Sequence, residues 1–176
     1  MNLPMVSRTA ASLLLVGLLA GCGSDSTAPA AAPAVVAPTT FTVAGTAATG
    51  AALDGATITI IGSDGTSYPA AGAAPIVTGA DGSYSIVLPL SAKPPFVVTA
   101  VKNDVSLVSV VAEAKDSTAN VTPVTNLIAS RLSSSGDPAK LADEIKNKAV
   151  TVDAAAVKAK VAEIIALIQP LMDAVG

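Results

Sequence analysis

Thr78-Gly79-Ala80-Asp81-Gly82-Ser83-Tyr84-Ser85-Ile86 is where the chain changes from turn to strand. Asp81-Gly82 is turn chemistry. The short carboxylate bonds nearby backbone, and glycine supplies a positive φ without steric cost. From Ser83 onward the pattern has period two. Tyr84, Ile86 and Leu88 alternate with Ser83, Ser85 and Val87, so one face is apolar and the run reads as a half-buried strand. The stretch is therefore a hairpin delivering the chain into a core strand that carries an aromatic residue.

The same period holds on both sides of it. Phe41 and Val43 alternate with Thr40, Thr42 and Ala44, and Ile58 and Ile60 alternate with Thr57 and Thr59. Phe96, Val98 and Ala100 alternate with Val97, Thr99 and Val101, and Leu107, Ser109 and Val111 oppose Ser106, Val108 and Val110. Breaks fall at Asp54-Gly55, Ser63-Asp64-Gly65, Pro94-Pro95 and Asn103-Asp104. Asn103-Asp104, between two apolar strands, predicts a hairpin. Seven strands are expected, at about 40–46, 56–61, 75–78, 83–88, 96–101, 105–111 and 119–122. Short, regularly spaced strands with such turns predict a β-sandwich, so the chain reads as mainly β.

The succession Val43-Ala44-Gly45-Thr46, Leu53-Asp54-Gly55-Ala56-Thr57-Ile58-Thr59-Ile60 and Thr78-x-x-Asp81-Gly82-x-Tyr84 resembles the carboxypeptidase regulatory-like domain, a transthyretin-like sandwich with Ig-like layering. The resemblance covers residues 41–111. It implies a non-catalytic module, found appended to enzymes and on bacterial surface proteins, and it transfers no active-site residue.

After Val121 the period becomes helical. Thr122-Pro123 is an N-cap followed by proline at the first helical position, with Val124, Leu127, Ile128 and Leu132 on one face. Ser133-Ser134-Ser135-Gly136 ends that helix. Asp137-Pro138 starts a second one leading to Leu141, Ile145 and Ala149, and Thr151 or Asp153 caps a third. The third carries Val157, Val161, Ile164, Ile168, Leu171 and Val175 in heptad spacing. That stripe is read as the buried face of a small helical layer, with a coiled coil as the alternative. Pro170 limits how far a continuous coil extends. The chain is still apolar at Gly176, which leaves open a longer protein or a last turn that docks elsewhere.

The amino-terminal end sets location. Arg8 precedes an apolar run, Ala10 to Ala20, too short to span a bilayer, which needs about 20 apolar residues. This is the layout of a secretory leader. Its ending, Leu19-Ala20-Gly21-Cys22, resembles the lipobox of bacterial lipoproteins. That resemblance implies cleavage before Cys22, acylation of its thiol and amino group, and a stable multi-chain anchor. An ordinary leader with a chance cysteine is the plain alternative. Gly23 after the cysteine, rather than aspartate, favours the outer membrane by the enteric rule. Residues 1–21 are thus a signal, and 22–39 are a Pro/Ala-rich tether with Pro29, Pro33 and Pro38. At about 3.1 Å per residue that tether reaches up to roughly 50 Å. Residues 40–121 are the sandwich and 122–176 the helical tail.

Composition narrows the function. The chain has 10 Lys and Arg against 13 Asp and Glu, hence a net charge of −3 and no basic stripe for nucleic acid. It has no histidine, which removes the usual general base, the usual metal ligand and any Ser-His-Asp arrangement. Ser91 and Lys93 are a formal serine–lysine pair, but Lys93 sits before Pro94-Pro95 in a loop. Asp54, Asp64 and Asp81 stand singly in turns, whereas a calcium loop clusters oxygen ligands within about a dozen residues. Gly62 and Gly65 lack the lysine and helix of a phosphate loop. Tyr68, flanked by Ser67 and Pro69, is either an exposed binding aromatic or a core residue. The expectation is a non-enzymatic lipoprotein without metal or cofactor, meeting the membrane through its anchor and an envelope protein or polysaccharide through its sandwich. The alternative is a scaffold component that associates through the helical tail.

Overall fold

The computed structural model describes residues 38–175, so the expected signal at 1–21, Cys22 and most of the expected tether at 22–39 lie outside the described residues. Eight strands are present: β1 Thr40–Thr46, β2 Thr57–Ile61, β3 Ser67–Tyr68, β4 Ile76–Val77, β5 Ser83–Pro89, β6 Phe96–Lys102, β7 Val105–Val111 and β8 Ser117–Thr118. They form two sheets. One is β5-β1-β8, with β8 parallel to β1. In the other, β2, β6 and β7 are consecutive antiparallel neighbours. The free edge of β2 is shared, with β3 on Ile60–Ile61 and β4 on Thr57–Ile58.

The sheets face each other across one apolar layer. Register puts Val43 opposite Ile86 and Ile58 opposite Ala100, so the apolar halves of all four strands point inward. Phe41 and Phe96 come from opposite sheets, and their rings lie 5.6 Å apart at 44°. The result is a two-sheet sandwich. Ile58 is buried while Thr57 is exposed and Thr59 half-buried, as the alternation predicts.

Differences from the sequence reading have local causes. The strand count is eight rather than seven because the edge strand on β2 is interrupted. Pro69 offers no donor, and the Ala70–Ala73 turn carries the chain away before β4 resumes. The strand expected at 119–122 lies earlier, at Ser117–Thr118, and only an isolated bridge joins Ala47 to Val121. Asn103, at φ 51°, makes the predicted β6–β7 hairpin, closing the Lys102–Val105 pair.

Beyond the sandwich lie α1 Pro123–Leu132, a 3₁₀ turn Pro138–Lys140, α2 Leu141–Lys146 and α3 Ala154–Val175. Thr122 caps α1 reciprocally with Thr125, whose hydroxyl accepts the Thr122 N–H at 2.9 Å, and Pro123 takes the first turn. Asp137 caps the 3₁₀ turn and Asp153 caps α3, accepting the N–H groups of Ala139 and Ala156. These helices cover the outer face of β6 and β7. Val97 and Val108 are buried there against Ala129, Leu132, Leu141 and Ile145. The α1 face is rotated from the expected one, with Val124 and Leu127 exposed and Ala129 and Leu132 buried. The Asn126 side chain accepts the Val108 N–H at 3.0 Å, which turns the polar side of the first turns toward the edge of β7. α2 ends before Ala149, which is exposed. α3 runs through Pro170, and its predicted stripe splits, with Ile164 buried and Ile168 exposed.

Candidate functional site

The Thr78–Tyr84 turn is densely hydrogen-bonded. Thr78 is buried, and all its polar groups are used. Its N–H donates to the Ala56 carbonyl and its carbonyl accepts from Gly55. Its hydroxyl accepts the Ala56 N–H at 2.8 Å and donates to the Leu53 carbonyl. The Asp81 carboxylate accepts the Ser83 N–H at 3.0 Å, and hydrogen bonds from the Ser83 side chain and backbone hold its pKa below the ordinary range. Gly82, at φ 76°, has no room for a side chain against the Ala47 carbonyl. Tyr84 is buried, its hydroxyl donates to the Ala119 carbonyl, and burial pushes the phenol well above its ordinary pKa. Ala119 in turn lies so close to β1 that a Cβ on Gly45 would overlap its carbonyl. Thr78, Asp81, Gly82 and Tyr84 are therefore engaged in the architecture, and Tyr84 ties β5 to the segment that leads toward α1.

At that exit lies a cleft of about 270 Å³ between β7, the segment 118–120, α1 and α3. Val110, Ile128, Val157 and Val161 supply apolar walls, and Ser109, Thr118, Asn120 and Thr125 supply hydroxyl and amide groups. Two of the polar groups are already engaged. Asn120 Oδ1 accepts the Thr46 N–H at 3.1 Å, and Thr125 serves the α1 cap. Among the described residues no ionisable side chain lines the cleft. It has no acid–base pair and no charge for a phosphate or carboxylate, so it suits a neutral, mainly apolar group.

The residues singled out in the sequence are not brought together. Asp64 accepts the Thr66 N–H at 2.9 Å, a bond that lowers its pKa, and it stays in its own turn, as does Asp81. Asp54 is exposed, and its backbone carbonyl receives Lys102 Nζ. Among the described residues no three acids, histidines or cysteines gather as a metal site. Ser91 and Lys93 are exposed, and the Lys93 carbonyl is taken by the Ser63 N–H at 2.9 Å. Gly62 and Gly65 close a turn on each other. Tyr68 is half-buried, packed against the core from the edge of β2. Cys22 lies outside the described residues. The cleft itself had no signal in the sequence, because its lining comes from β7, the segment 118–120 and two helices, and consists of ordinary Ser, Thr, Asn and Val.

No family model matches the chain, and no curated protein matches it. Among solved structures it is similar to a DUF3823 family protein from Parabacteroides merdae, at 19% identity and a TM-score of 0.30, covering 49% of this chain and 47% of that one. It is also similar to a DUF3823 family protein from Bacteroides ovatus, at 20% identity and a TM-score of 0.30, covering 49% and 46%. In both cases the match spans about half the length of the other protein.

Proposed function

We propose that the chain is a non-enzymatic lipoprotein of the bacterial cell envelope. Cys22 anchors it to the outer membrane, the Pro/Ala tether holds it off the surface, and a carboxypeptidase regulatory-like sandwich serves as the binding module. The observation that carries this reading is the apolar run ending in Leu19-Ala20-Gly21-Cys22, with the only cysteine of the chain at its end. The Thr78–Tyr84 turn supports the module assignment, since Thr78, Asp81, Gly82 and Tyr84 each have a structural task in the sandwich. The non-enzymatic reading rests on the absence of histidine and on the scattering of the acids through separate turns. The neutral cleft favours an envelope protein over a polysaccharide. A sugar platform needs exposed aromatic rings, and Tyr84 is buried while Tyr68 packs on the core.

Fractionation and acyl labelling of cells expressing the full chain test the anchor. The wild type is expected in the membrane fraction with incorporated lipid. Cys22→Ala is expected to lose the lipid and either leave the membrane or accumulate with its leader uncleaved. An unlabelled wild type together with a processed, membrane-bound mutant would sink the lipoprotein reading.

A further inference from the structure

The two halves of α3 have different surroundings. In the first half, Val157 and Val161 wall the cleft and Ile164 is 3% exposed. In the second, Ile165 is 50%, Leu167 61%, Ile168 41% and Met172 59% exposed, and no charge occurs between Glu163 and Asp173. Single apolar side chains on a surface are ordinary, but a helix end this apolar, with none of the described residues packed on it, marks an interaction surface. Val157, Val161, Ile165, Ile168 and Met172 recur at spacings of 4, 4, 3 and 4, which places them on one stripe. The wall of the cleft thus runs without a break into the bare end.

That stripe is symmetric. Val161 and Met172 lie equally far from a point between Ala166 and Leu167, and so do Ile165 and Ile168. A stripe with this symmetry is self-complementary about a two-fold axis perpendicular to the helix. We infer that α3 docks antiparallel on α3 of a second copy of this chain, about an axis between Ala166 and Leu167. The partner's Met172 then seats over Val161 at the mouth of the cleft, and the partner's Ile168 lies against Ile165.

Charge favours the same orientation. Lys158 lies in the first half of α3 and Asp173 near its end, on the same flank of the stripe, so antiparallel pairing sets a base beside an acid, whereas parallel pairing sets like beside like; Lys160 is already paired with Glu163 at 2.8 Å. The cleft is neutral and irregular, which suits the flexible thioether of methionine. A lipid surface is a poorer occupant. Helices that lie in the interface carry Lys and Arg along their polar face, and the bare end is bounded instead by Glu163 and Asp173. The inference does not depend on the lipid anchor.

Sedimentation of the full chain in mild detergent is expected to show a concentration-dependent dimer. Ile168→Asp weakens it at least tenfold. Leu167→Asp adds the same charge one residue away but off the stripe, and it leaves the dimer intact. On a Cys22→Ser background, mixed Val161→Cys and Met172→Cys chains form a disulfide-linked pair on oxidation, and neither forms one alone. A monomer at every concentration, equal effects of the two aspartates, or cross-linking by Val161→Cys alone would overturn the inference. So would a monomer that floats with vesicles of phosphatidylethanolamine and phosphatidylglycerol in an Ile168-dependent way, which would assign the stripe to lipid instead.

Discussion

The inner face of the larger sheet presents Ile58, Ile60, Phe96, Val98 and Ala100 to the smaller sheet, and all five are fully buried. Among the described residues the outer face of the same sheet is covered over β6 and β7, where Val97 and Val108 meet the helices, while Thr57 on β2 is exposed. The inner layer is closed by the pairing of two sheets, each held by its own ladder. The outer layer is closed by helices that contribute short apolar stripes and are tied to the sheet at a few points, such as Asn126 to Val108. The two faces therefore differ in what their loss costs. Breaking the inner layer removes the fold, and breaking the outer layer releases a lid from a sheet that remains paired.

Ile58→Asp tests the first half of that statement with the largest expected effect. It places an unpaired charge among fully buried side chains, at a cost of several kcal/mol, a large part of the stability of a domain this size. Thr57→Asp, one residue away on the outer, uncovered side, is expected to change stability by less than about 0.5 kcal/mol. Thermal melts of both variants give the comparison. Similar losses at the two positions would mean that the outer side of β2 is as closed as the inner.

Leu141→Ala breaks the outer layer. Leu141 is fully buried between α1 and the sheet, and truncation of a buried leucine costs about 2–5 kcal/mol. Hydrogen exchange is the decisive readout. Amides of α1 and α2 are expected to lose protection first, while β1 and β5 keep theirs, because the sandwich has a core of its own. Uniform loss across both layers would make the two faces one cooperative unit.

The two faces also differed in how legible they were. Alternation located Ile58, Ile60, Phe96 and Val98 correctly, since a half-buried strand writes its inner face as every second residue. The covering of the outer face was not legible in this way, since Val97 and Val101 are both apolar on that face of β6 and only Val97 is buried by the helices. The caps at Thr122 and Asp137 were readable because capping is local. The orientation of α1 was not, because Val124, Leu127, Ile128 and Leu132 form as good a stripe as the one used. The choice between stripes was made by Asn126, which answers an unpaired N–H on β7, a strand 18 residues earlier. The short β3 escaped notice because two residues carry no period. The cleft was illegible for a related reason, its lining being assembled from segments that are unremarkable one by one.

Thr78→Val sharpens the view of the inner layer by removing its polar tie without changing its shape. The Ala56 N–H and the Leu53 carbonyl lose their partner in a buried setting. The expected loss is about 1–3 kcal/mol, from desolvated groups left unpaired. Thr78→Ser keeps the hydroxyl and is expected to recover most of it. Equal melts for Val and Ser would show that the hydroxyl contributes nothing and that the tie is carried by the backbone bonds of Thr78 alone.

The smallest effect belongs to the outer layer and to pH. The Glu144 carboxylate on α2 accepts the Ser134 N–H at 2.9 Å and the Ser135 N–H at 3.1 Å, closing the loop after α1. Hydrogen bonds from the Ser135 side chain, the Ser134 backbone and the Ser133 side chain hold its pKa at about 2, below an ordinary 4.5. A carboxylate with a depressed folded-state pKa stabilises the protein fully above its unfolded value, and the contribution fades as pH falls through the folded one. The helical layer is therefore expected to lose this support between about 4.5 and about 2, with little change above pH 5. Glu144→Gln keeps the size of the side chain but cannot accept both N–H groups in the same way. Its melting temperature should fall below that of wild type at neutral pH, and the gap should narrow steadily on acidification, because the wild type loses what the mutant already lacks. A gap that stays constant from pH 7 to pH 3 would show that the loop is held by its backbone turns rather than by Glu144. The outer layer would then owe its attachment to apolar contact and Asn126 alone.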